Sequence, residues 1–534
     1  RGNFAAENLT PPRPPMNANT RLRLWKETRA LLPMWLAPAA WVSFPFLLPI
    51  GDPLTWSFAG FLFGCAVLGP VCVGHEFAHG TMGALLAQPV PRRKLWWQKL
   101  AVTSAALLSL SLLFLGLIEV TGNWHRIFDY DAEGEPSPMA LLIMLIPLLG
   151  FCTGPALTLF VRNSLGGAAL TFIYPFFLQI AGLLLVANMG ELLRDVEEQF
   201  LLSYVLLVGG SYAGGVFLWG CRRFERLEDV NLLAQEISAP RQFTALFSGL
   251  TRHLTPAQHG PTLNLLRKEL RLQQPAFLVA QFLIVLWVTF VGVWRVRPTV
   301  GGEIMLIPVI FLCLAIPVMV GIVSTAEERR LGVHEWHLTL PVSARRLWTV
   351  KLLVALGVNA VLGLLLPGLL AHASSWLAND PKLIAEIPGR NVPPFLIANL
   401  VLVGAALYAS SVSANSMRAL VGTIVLFIVA GLFLPTSAEV HVWLSGLIDQ
   451  QRSMPPNATY DSWFRFEFYY WPLGWVCLAG WLYSLGMVNF RSSLASLSRP
   501  VGELAGLFMV AWLFTNVGWN GPTLLVLFFQ RVGW

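Results

Sequence analysis

The chain has 534 residues, of which 55% are hydrophobic and only 12% charged, and its mean hydropathy is +0.63. These values exclude an ordinary soluble domain and point to a polytopic membrane protein. The formal net charge of +7 then reads as a topology signal and an attraction to lipid headgroups, with no nucleic-acid partner expected.

Residues 1–20 are rich in proline and asparagine and are expected to be flexible. A first unit, 21–220, opens with LRLWKETRALLP, in which Leu22, Trp25 and Leu32 share one helical face while Lys26, Glu27 and Arg29 lie elsewhere. That pattern predicts an interfacial amphipathic helix that rests among lipid headgroups before the chain turns into the membrane at Pro33. Apolar runs long enough to cross a bilayer as helix follow around 34–50, 57–74, 101–118, 139–161, 166–187 and 201–220.

Between the second and third runs lies HEFAHGTMGALLAQPVPRRKLWWQKL. It predicts a short amphipathic helix, a proline break and a basic start to the next span, with Trp96 at the interface and lysine or arginine side chains snorkelling to lipid phosphates. Glu119, near the outer end of the third run, is the most notable intramembrane acid. The outer loop 122–138 is acidic, which suits a solvated face.

Residues 221–262 are polar and read as a linker. A second unit, 263–490, repeats the first. LLRKELRLQQP at 265–275 places Lys268, Glu269, Arg271 and Pro275 where the first unit has Lys26, Glu27, Arg29 and Pro33. Further apolar runs fall around 276–294, 304–324, 352–371, 395–413, 419–435 and 469–488. PVSARRLWTVKL at 341–352 matches PVPRRKLWWQKL at 89–100 in seven of twelve positions, at an offset of 252. Asn163, Ser164 and Thr171 match Asn415, Ser416 and Thr423 at the same offset. A repeat near half the chain length signals a tandem duplication. The expected fold is therefore all-α and polytopic, with two tandem six-helix units, about twelve spans in total, and interfacial helices. The hydrophobic tail, 491–534, reads as an interfacial hairpin or as a kinked extra span.

Most of the 36 basic residues fall in segments that lie on one side if the N-terminus is cytoplasmic, which orients the chain in a cell (inner) membrane. The six cysteines lack CxxC spacing and sit mostly in apolar runs, where they serve as small packing residues.

Aligned, the loop pattern is E-x-x-x-G followed by L-x-x-P-V-x-x-R-[KR]-L-W-x-x-K-L. It contains Glu76, Gly80, Pro89, Arg93 and Lys99, and again Glu328, Gly332, Pro341, Arg345 and Lys351. This pattern resembles the hallmark loop of type-2 ABC exporter permeases, whose six-span units also begin with an interfacial helix. The resemblance implies that these ten residues belong to ATPase-coupling surfaces, together with the interfacial helices that carry Trp25, Lys26, Glu27, Arg29, Lys268, Glu269 and Arg271. It also implies two copies of a soluble ABC ATPase as partners, besides membrane lipids. Most of that family carry one unit per chain, so the fusion lets one chain form the full pathway. No G-x-x-x-x-G-K-[ST] loop occurs in the chain, so ATP and Mg are expected on the partner and no cofactor or catalytic site on this chain.

HEFAH also matches H-E-x-x-H, in which His75 and His79 would hold zinc and Glu76 would act as general base. A membrane-embedded zinc metalloprotease is thus an alternative reading. The second copy lacks both histidines, and a catalytic zinc needs a third protein ligand. His334 and His337 in HEWH lack that spacing and read as interface residues of the second loop. A non-transporting scaffold within a larger membrane complex is a further alternative.

Overall fold

The first described helix is α1 (Met16–Ser43). The computed structural model describes residues 16–46, 53–124, 138–173, 205–227, 261–296, 298–330, 332–339, 342–378, 392–426 and 478–490, with positions 476, 502, 503 and 506. Residues 16–20 lie within α1. Helix α1 corrects one expectation: it runs unbroken through Pro33 and Pro38, so the first interfacial element and the apolar run up to Ser43 are one rod.

The second copy does break. Helix α8 (Pro261–Leu272) ends in a turn at Gln273 before α9 (Gln274–Val296), with Gln273 donating its side-chain amide to the Val320 carbonyl at 3.2 Å. At the equivalent position of the first unit stands Leu31, which has no side-chain donor to offer a neighbouring helix.

The first unit continues with α2 (Pro53–Ala78), a short α3 (Met82–Leu86), α4 (Arg92–Val120), α5 (Pro138–Val161), α6 (Ser164–Ile173) and α7 (Gly210–Glu225), the last preceded by a π-helical turn, Val205–Gly209. The second has α10 (Pro298–Arg330), α11 (His334–Thr339), α12 (Ala344–Asn359), a π-helical stretch Ala360–Leu365, α13 (Leu366–Ala378), α14 (Val392–Val412) and α15 (Ser416–Leu426). Residues 478–490 are helical.

The described residues are all-helical, without strands. Five stretches among them are long and apolar enough to cross a membrane: Pro53–Ala78, Arg92–Val120, Gln274–Gly292, Ala344–Ser374 and Phe395–Val412. About twelve were expected. Leu145–Val161, Ser164–Ile173 and Ser416–Leu426 are shorter apolar helices. The linker, most of the outer loops and nearly all of the tail lie outside the described residues.

Packing repeats as the sequence does. In the first unit α2 packs on α1 and α5; in the second α10 packs on α9 and α14. The apolar window of α2 is 83% buried and that of α4 only 28%, so α2 is a central helix while α4 turns Leu108 and Leu112 outward. Glycine makes the central crossing possible. A Cβ on Gly69 would lie 2.1 Å from the Gly150 carbonyl oxygen, and one on Gly321 would lie 2.4 Å from the Ala406 Cβ. Gly69 and Gly321 are related by the same offset of 252, so this close approach is part of the duplicated unit.

Candidate functional site

Helix α2 ends at the loop motif. Gly80 adopts φ +65° and Gly332 φ +70°, a left-handed conformation that glycine enters without a Cβ penalty. The N–H of Thr81 reaches the carbonyl of Glu76 at 2.9 Å, and Val333 reaches Glu328 at 3.1 Å. The E-x-x-x-G pattern is thus a helix stop used twice. Substituting alanine at Gly80 or Gly332 should cost about 1–2 kcal/mol at each site, read as a lower apparent Tm of the detergent-solubilised chain. The same exchange at Gly116, in mid-helix with nothing near its Cβ position, should not lower it.

The glutamate of the motif points inward. Glu76 and Glu328 are both 0% exposed, and their partners Lys99 and Lys351 are 2% and 3% exposed. In the first unit Lys99 Nζ donates to Glu27 Oε2 at 2.7 Å, to Glu76 Oε1 at 3.2 Å and to the Cys72 carbonyl at 3.2 Å. Lys26 adds a contact to Glu76 Oε1 at 3.3 Å, and Thr81 Oγ1 donates to Glu76 Oε2. In the second unit Lys351 Nζ lies 2.8 Å from Glu269, from Glu328 and from the Ser324 carbonyl, while Lys268 donates to Glu328. Each copy therefore gathers two carboxylates and two ammonium groups, with no net charge, from three places: the opening helix, the end of the second helix of the unit and the start of the third.

A buried charge is tolerated only when paired and hydrogen-bonded, and here each lysine also uses a backbone carbonyl to complete its donors. Cys72 and Ser324, whose carbonyls serve, are again 252 residues apart. The copies differ at one corner. The Thr81 hydroxyl of the first is replaced by His337, whose Nε2 lies 2.9 Å from Lys268 Nζ and whose Nδ1 lies 3.6 Å from Glu328. Burial opposes the charge on Glu328, but Lys351, His337 and Lys268 outweigh it and hold this carboxyl well below the usual range. Burial pushes Glu269 up, aided by the Glu328 charge and against the pull of Lys351.

These positions correct the expected environments of several residues. Lys99 and Lys351 do not snorkel to lipid; they are locked in the clusters. Trp96 and Trp348 are not interfacial anchors: both are buried, Trp96 against Phe224 with ring centroids 5.1 Å apart and Trp348 against Phe490 at 5.6 Å. The loop thereby also grips the helix that ends each unit. His334 and His337 are buried as well, His334 edge-on to Phe490, so neither presents an exposed interface. Glu119 is exposed at the end of α4.

The remaining motif residues form the outside of the loop. Pro89, Arg93, Lys94, Arg345 and Arg346 are exposed, as are Trp25, Lys26, Arg29 and Arg271; Pro341 lies outside the described residues. The candidate coupling set thus splits into an inner ionic core and an outer basic rim. Asn163 and Asn415 start α6 and α15, their Oδ1 atoms accepting from the N–H of Leu165 and Arg418 at 2.9 Å, which explains the third repeat as paired helix caps.

His75 and His79 lie one helical turn apart with ring centroids separated by 4.4 Å. Burial and the Arg418 charge hold His79 below the ordinary histidine range. Among the described residues no group of three His, Cys, Asp or Glu gathers for a metal. Both oxygens of Glu76 are engaged, one by lysines and one by Thr81, which opposes its use as a base. No family model, no characterised protein and no solved structure matches this chain.

Proposed function

We propose that the chain is the membrane permease of an ATP-driven exporter, two units fused, with its N-terminus and both loops on the cytoplasmic side of a cell membrane. The observation that carries this reading is the duplicated ionic core beneath a basic loop. A load applied to Arg93 or Arg345 passes through the loop into a cluster that ties three helices together, so the helices move as one body. Two equivalent points suit a pair of soluble ATPase subunits, which would supply ATP and Mg, and rocking of the two units about their interface would give alternating access.

The test is purification of the tagged full chain from its native membrane, followed by mass spectrometry of what travels with it and by ATP hydrolysis of the complex. A Walker-type ATPase in about twofold excess is expected. Arg93→Glu and Arg345→Glu should each lower hydrolysis severalfold and together abolish it, without lowering the Tm of the chain. A chain that carries no ATPase and shows no nucleotide-linked transport defeats the proposal and favours the scaffold. Stoichiometric zinc with proteolysis lost in Glu76→Gln would replace it with the metalloprotease.

A further inference from the structure

The second unit contains a polar site that the first lacks. The span Ala344–Ser374 is α-helical to Asn359, widens into the π-helical stretch Ala360–Leu365 and then resumes as α13. Such wide turns recur at functional positions because they disturb the regular ladder of backbone hydrogen bonds. Asn359 stands midway along this span and is 1% exposed; Asn399, on the adjacent α14, is fully buried. Neither Asn359 Oδ1 nor Asn399 Oδ1 has a hydrogen-bond partner among the described residues. In a bilayer core water cannot substitute freely, so an unpaired carbonyl is costly there.

The two oxygens converge on one glycine. A Cβ built on Gly363 would lie 2.3 Å from Asn359 Oδ1 and 3.0 Å from Asn399 Oδ1. The Asn399 amide nitrogen donates to the Phe395 carbonyl at 3.0 Å, which fixes which end of that side chain faces Gly363. Two neutral acceptors thus lie against the Gly363 backbone, and any side chain at position 363 would displace them. At the equivalent positions of the first unit stand Leu107, Pro147 and Ser111, so no amide faces its partner there. The site does not belong to the duplicated architecture and does not rest on the permease reading.

We propose that Asn359 and Asn399, over Gly363, bind a monovalent alkali-metal cation within the second unit. Hard cations take oxygen ligands, and broken or widened membrane helices hold such ions through carbonyl oxygens. Neutral amides suit a single charge, whereas a divalent ion would ask for a carboxylate. The two side-chain amide oxygens there would replace part of the hydration shell.

The experiment measures the unfolding midpoint of the purified full chain in detergent, at constant ionic strength, in sodium, potassium or choline chloride. Sodium or potassium should raise the midpoint saturably by about 2–4 °C over choline, because the ion binds only the folded state. Gly363→Ala and Asn399→Leu should each remove the increment, so that their midpoints no longer differ between sodium, potassium and choline. Equal midpoints of the unsubstituted chain in all three salts overturn the site. An increment retained in Gly363→Ala overturns it too. Should both variants fail to fold, radioactive sodium binding by the unsubstituted chain decides: displacement by unlabelled sodium but not by choline supports the site, and no binding refutes it.

Discussion

Replacing Lys99 by methionine is expected to destabilise the first unit by about 3–5 kcal/mol, because it leaves the buried carboxylate of Glu76 and the half-buried one of Glu27 without their shared cation. Lys351→Met should do the same to the second unit through Glu269 and Glu328. The comparison that gives the result meaning is Lys26→Met. Lys26 touches the same Glu76, yet its side chain is 54% exposed, so its loss should cost no more than about 1 kcal/mol. Apparent Tm values of the three variants in one detergent test this order. Similar small losses for all three would show that the buried contacts do not hold the helices. Lys99→Met combined with Glu27→Gln and Glu76→Gln should recover part of the stability, since no unpaired charge then remains buried.

The second large effect is expected at the helix crossing. Gly69→Ala puts a methyl group 2.1 Å from the Gly150 backbone oxygen, a position that cannot be relieved by turning a side chain. Helices α2 and α5 must separate, at a cost near the upper end of the roughly 1–3 kcal/mol typical of overpacking. Gly321→Ala should cost a similar amount, because the Ala406 Cβ at 2.4 Å is fixed to its backbone and the Leu407 N and Val403 O lie at 3.0 Å. Gly357→Ala is the control with opposite sign: its Cβ position is open, so alanine should stabilise α12 by about 0.5–1 kcal/mol. Thermal unfolding of the three variants decides the matter. A loss at Gly357 equal to that at Gly69 would mean that helix crossing is not what these glycines serve.

Much of the architecture is legible in the order of the residues. The offset of 252 relates Glu76 to Glu328, Gly80 to Gly332 and Lys99 to Lys351, and these six residues form one ionic core and one helix stop, each made twice. The short helix, proline break and basic helix start are readable because proline and local periodicity act over a few residues. Gly69 and Gly321 obey the same offset without standing out. A glycine in an apolar run has no local signature, and only the neighbouring helix shows why a side chain is forbidden.

Reading the residues in order was enough for the all-helical apolar character of the described residues, for the repeat at offset 252 and for the helix stops at Gly80 and Gly332, though not for the continuity of α1 through Pro33. Those features depend on composition, on side-chain period and on residues a few places apart. Only the tertiary structure decided which way the charged residues face. Lys99 and Lys351 resemble ordinary snorkelling cations in a basic loop, and Trp96 and Trp348 resemble interfacial anchors. Their partners Glu27, Glu269, Phe224 and Phe490 lie tens of residues away or more, and whether a long side chain reaches lipid or a buried carboxylate depends on how helices meet. The Asn359–Asn399 pair follows the same logic: two isolated asparagines became a shared polar site only when α14 was laid against the wide turn at Gly363.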